Sequence, residues 1–71
     1  MTLFASRHLW PDLPKLHRHA RQHGVWLTDR GEVILDGEGV GTYELAGSAL
    51  VFHDIHHQSP LVEIFDLRQV E

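Results

Sequence analysis

Residues 48–67 read SALVFHDIHHQSPLVEIFDL, and the way this stretch divides decides the fold. Its one break is HHQSP, residues 56–60, and both flanks are rich in the β-branched and aromatic residues that suit a pleated surface. Read as strands, 48–55 set Leu50 and Phe52 against Val51 and Ile55, while 61–67 set Leu61, Phe65 and Leu67 against Val62 and Ile64. A strand that is apolar on both faces is normally covered on both. The spare face then calls for residues 1–11, for a sheet that curls on itself, or for another chain.

Working back from this stretch, three shorter runs carry the same texture: VWLT at 25–28, EVILD at 32–36 and VGTYEL at 40–45, separated by DRG, GEG and AG. A parallel crossover needs about a dozen residues, so links this short make neighbouring strands antiparallel. DGEGVG at 36–41 offers glycines but no lysine, and Asp36 and Glu38 would repel a phosphate. It reads as a hairpin turn that needs positive backbone angles at Gly37 or Gly39.

Ahead of the strands, residues 13–23 form a helix pattern. Asp12 can cap it, Pro14 falls in its first turn and Gly24 ends it. Successive 100° steps place Leu13, Leu16 and Ala20 on an apolar stripe and Lys15, Arg18, His19, Arg21 and Gln22 on the polar side, with His17 and His23 at the borders. Residues 3–10, LFASRHLW, fit a short helix or an extended segment equally well. The fold expected is α+β, an N-terminal helix packed on a five-stranded antiparallel β-meander, with a small curled β-barrel carrying one helix as the alternative. All 71 residues belong to one small domain. Its core should draw on Leu13, Leu16, Ala20, Val25, Leu27, Val33, Leu35, Tyr43, Leu45, Leu50, Phe52, Ile64 and Phe65.

Charge is divided along the chain. Residues 1–30 carry five cations against Asp12 and Asp29, a net +3, whereas residues 31–71 carry Arg68 alone against eight carboxylates, a net −7. The absence of cysteine excludes disulfides and thiolate zinc sites and fits a reducing compartment. No apolar run approaches the roughly 18 residues of a membrane span, and the amino terminus lacks the cationic lead and apolar centre of a signal peptide. A soluble cytoplasmic protein without a cofactor and with no membrane contact is expected.

Each candidate chemistry has a plainer counterpart. His19 and His23 stand at i and i+4, and His53 and His56 could complete a metal site; the same histidines serve equally as solvated surface. Lys15, Arg18 and Arg21 could meet nucleic-acid phosphates, although the acidic remainder of the chain would oppose this. Ser6, Ser48 and Ser59 lie in no nucleophile context, and His53 and Asp54, adjacent in a strand, point apart, so no enzyme is expected. The reading that uses most of the pattern is a small non-enzymatic protein-binding module of the inhibitor, antitoxin or adaptor type, with a homodimer possible. Its contacts would be the basic helix (Lys15, Arg18, His19, Arg21, Gln22) and an apolar surface (Trp10, Trp26, Val51, Ile55, Val62). Seven histidines also make the charge pH-sensitive, since protonating all of them moves the formal net charge from −4 to +3.

Overall fold

The structure, a computed structural model, describes residues 2–55 and 58–69. The elements run β1 (Thr2–Ser6), α1 (Leu13–Gln22), β2 (Val25–Leu27), β3 (Glu32–Leu35), β4 (Glu38–Ala46), β5 (Ala49–His53) and α2 (Gln58–Phe65). The five strands form one antiparallel sheet of order β1-β5-β4-β3-β2. The fold is therefore α+β with an antiparallel meander from β2 to β5, as the short links require. None of the described helices is long and apolar enough to cross a membrane.

Two assignments differ from the sequence reading. The fifth strand is residues 2–6, which pair with β5 from Thr2↔His53 to Ser6↔Ala49, and residues 61–67 lie largely in α2 instead. Leu61 and Phe65, both at 0% exposure, are spaced i and i+4, which is one face of a helix. Val62 and Ile64 flank that stripe and pack against the core from its borders. Pro60 sits in the first turn, where its missing N–H costs nothing. At the other end Asp66 adopts φ 53° and the Leu67 N–H donates to the Val62 carbonyl at 3.1 Å, the six-to-one bond of a Schellman cap. β-branched propensity is a weak prior, and here it is overridden because β1 already occupies the place beside β5.

The same correction removes the surplus apolar surface. After β5, Asp54 turns to φ 53°, so the alternation stops and Ile55 swings to the core side, where it is 5% exposed. It lies over Gly41, whose missing side chain makes room for the Ile55 Cδ1 atom and the His53 carbonyl. Only Val51 keeps its place on the far face, buried between its register partners Phe4 and Glu44.

Both helices cover one face of the sheet. Leu16 and Ala20 of α1 and Leu61 and Phe65 of α2 meet Leu3, Val25, Val33, Tyr43, Leu50 and Phe52 in a single core. Trp10, expected at an interface, is 7% exposed: its Nε1–H donates to the Phe65 carbonyl at 3.2 Å and its ring meets the Phe65 ring edge-on. Leu13, expected in the core, is 44% exposed at the start of α1. The hairpins follow turn chemistry. Asp36 and Gly37 (φ 53° and 80°) make the two-residue β3–β4 turn, and Gly39 needs no positive angle.

Gly41→Ala should be among the most damaging small substitutions, because a Cβ there would lie 2.8 Å from the His53 carbonyl oxygen and backbone cannot give way as a flexible side chain can. The expected loss is about 1–3 kcal/mol, read from the urea midpoint at unchanged m-value. Near-wild-type stability would mean that Ile55 does not pack over β4.

Candidate docking surface at α1 and the β2 edge

Asp12 caps α1 as expected, its Oδ1 accepting the Lys15 N–H at 2.8 Å, and this sets the rotation of the helix. Leu16 and Ala20 then face inward, and Lys15, Arg18, Arg21, Gln22 and His23 stand exposed. His19, expected among the partner contacts, is instead half-buried. Its Nε2–H donates to the Ile64 carbonyl at 2.6 Å, and its ring lies against Trp10 at 4.7 Å and His23 at 4.5 Å.

His17 is also structural. The Tyr43 hydroxyl gives its one proton to the Thr28 carbonyl at 2.6 Å, so His17 Nε2, 3.1 Å from the same oxygen, must be the donor in that contact. The pair ties α1 to the β2–β3 turn. Arg7 is engaged too: its guanidinium donates to the Trp10, Gly47 and Pro11 carbonyls and is not available to extend the cationic helix.

The metal set does not assemble. His19 and His23 lie on the helical side, whereas His53 is on the opposite face of the sheet, 3.0 Å from Glu44; His56 lies outside the described residues. No group of three or more metal-ligating side chains occurs among the described residues. Of the expected apolar contacts, Trp10, Val51 and Ile55 are buried and Val62 is half-buried, so none of these four offers the open patch that was anticipated. Trp26 does, at 54% exposure.

Alternation decides the position of Trp26. Val25 and Leu27 point into the core at 1% and 6% exposure, so Trp26 must point away from it. Arg21 starts from the helical side and places its guanidinium 5.3 Å from the centre of the Trp26 ring, within cation–π range. To do so its side chain passes the outer edge of β2, an edge strand with β3 as its sheet neighbour. An exposed edge invites unwanted strand pairing, and a charged side chain laid along it opposes that.

Beside this pair lies a cleft of about 550 Å³ between α1 and the β2–β3 turn, bordered by His17, Arg21, Trp26, Asp29, Arg30 and Glu32. A second hollow of about 510 Å³ follows the helix past Arg18 and Gln22 and shares His17 and Arg21 with the first. Among the described residues the ion pair is Arg68–Asp66, and His53 hydrogen-bonds Glu44, so Lys15, Arg18, Arg21 and Arg30 meet no carboxylate there. The Arg21–Trp26 stack was not read from sequence, because the packing that brings the two side chains together depends on tertiary contacts. The exposure of Trp26 was readable in the VWL alternation. Compared with known proteins, the chain matches no family model, no curated protein and no solved structure.

Burial and the nearby Asp29 carboxylate push the Tyr43 phenol above its ordinary value, near 10. The fold thus favours the protonated phenol: its contribution is complete below about pH 10 and is lost as pH rises through the folded value. As the chain has one tyrosine, absorbance at the phenolate band reads it directly. A midpoint above that of the unfolded chain is expected, and Tyr43→Phe should cost about 1–2 kcal/mol while flattening the alkaline fall in stability.

Proposed function

We propose that this chain is a small non-enzymatic protein-binding module, of the inhibitor, antitoxin or adaptor kind, working in the cytoplasm. Its docking surface is the exposed side of α1 together with the β2 edge. One observation carries the reading: a half-exposed tryptophan, Trp26, sits under Arg21 at the rim of a cleft and has no packing duty in the core. Tryptophan and arginine are the side chains most often found as energetic anchors in protein interfaces. An exposed apolar ring disfavours the free state, and a partner that covers it removes that cost.

The apolar residues that first suggested a homodimer have moved inside, which leaves a different partner chain as the favoured occupant. The lack of cysteine supports a reducing compartment. The acidic balance of residues 31–71 counts against duplex nucleic acid as the main ligand.

Immobilised wild type and Trp26→Ala protein, presented to nuclease-treated extract of the native host, provide the comparison. Wild type should retain a discrete partner that Trp26→Ala releases, with affinity lower by at least about tenfold for a single anchor of ordinary size. Both proteins should remain cooperatively folded, with a midpoint only slightly lower for Trp26→Ala, since the ring lies outside the core and gives up its contact with Arg21. Identical captures by the two proteins would remove Trp26 from the interface and the proposal with it.

A further inference from the structure

The docking surface runs through two adjoining hollows that share His17 and Arg21, and the charges along its two sides differ in a way that selects an occupant. On the helix wall stand Arg18 and Arg21, and α1 contains no carboxylate along its length. On the turn wall stand Asp29 and Glu32, with Arg30 between them. Trp26, with the Arg21 guanidinium over its ring, borders the hollow beside the turn. A ligand that fits must present negative charge to one side and neutral or basic groups to the other, across an aromatic floor.

An extended polypeptide has this two-sidedness by construction, because successive side chains point to opposite sides and those on one side recur about every 6.6 Å. Arg18 and Arg21 are separated by about 4.5 Å of helical rise, and long flexible side chains absorb the difference. A nucleic-acid strand would also set phosphates against the arginines and a base against Trp26, but the net −7 of residues 31–71 opposes its uniformly anionic backbone. A symmetric pairing of two copies through this surface is disfavoured for another reason: juxtaposing two α1 surfaces sets three cations against three, with no carboxylate on either helix.

We infer that the groove accepts an extended acidic segment of a protein partner, with its carboxylates turned to Arg18 and Arg21 and a side chain between them laid on Trp26. The inference rests on the docking surface proposed above and adds the chemistry of what fills it. On binding, the Arg21 guanidinium keeps its place over the indole and gains a carboxylate at its outer edge. Charge-assisted contacts of this kind are short and about twice as strong as neutral ones.

The probe is a twelve-residue peptide alternating Glu and Thr, with its Gln–Thr counterpart and dodecauridylate as controls, titrated at pH 7.5 and about 50 mM salt. Trp26 fluorescence is the readout and Trp26→Phe the control for signal origin. The Glu–Thr peptide should bind at least tenfold more tightly than the Gln–Thr peptide. Arg18→Gln with Arg21→Gln should abolish that preference without moving the melting temperature, and salt should weaken it. Equal affinity for the Glu and Gln peptides, no binding of either, or tighter binding of uridylate would overturn the inference. So would self-association of the free protein that the double variant abolishes, because a second copy would then fill the groove. Trp26-dependent capture of a host partner, together with no preference for the acidic peptide, would leave the docking surface standing and remove only the acidic occupant.

Discussion

The carboxyl end of α2 is the point on which the helical face of the sheet depends. A helix end leaves carbonyls without partners, and burying them unpaired is costly. Here the Val62 carbonyl is taken by the Leu67 N–H, the Ile64 carbonyl by His19 and the Phe65 carbonyl by Trp10. The three donors come from the chain after α2, from α1, and from the loop between β1 and α1. One capped helix end thereby holds together segments distant in sequence. The Trp10, His19, Phe65 and Phe52 rings fill the space around it.

Another side of α1 has a different task. His17, Tyr43 and Thr28 form a hydrogen-bonded chain that fixes the β2–β3 turn against the helix, and this fixed distance defines the cleft. Histidines that look alike in KLHRHARQHG therefore part company: His17 and His19 are structural donors, and His23 is exposed. The cations interleaved with them, Lys15, Arg18 and Arg21, are in no ion pair among the described residues. Basic charge stands along α1, and acidic side chains such as Glu32 and Glu44 stand on the open sheet face, while α2 adds the exposed Glu63 on the helical side.

Part of this was legible beforehand. The Asp12 cap, the Gly24 stop, the antiparallel meander and the outward Trp26 all follow from local rules: cap chemistry, link length and period-two alternation. The α2 helix was not legible, because LVEIF satisfies a strand and a helix pattern alike over so few residues. The metal constellation failed for a related reason. Proximity in sequence says nothing about which side of a sheet a residue will face once the strands have paired, and His53 lies across the sheet from His19.

Sequence by itself determined the elements whose signals are local, namely α1, the hairpin turns and the two-ended charge, since caps, turn residues and formal charges act within a few residues. Tertiary structure alone decided that residues 2–6 would take the place beside β5, that residues 58–65 would consequently coil over the sheet, and that Ile55 would fold over Gly41. Those outcomes are set by competition for one strand position and one core, and only the assembled chain resolves it. The surface we propose for docking has the same origin: Arg21 and Trp26 are five residues apart, but it is the packing of α1 against β2 that brings the guanidinium over the ring.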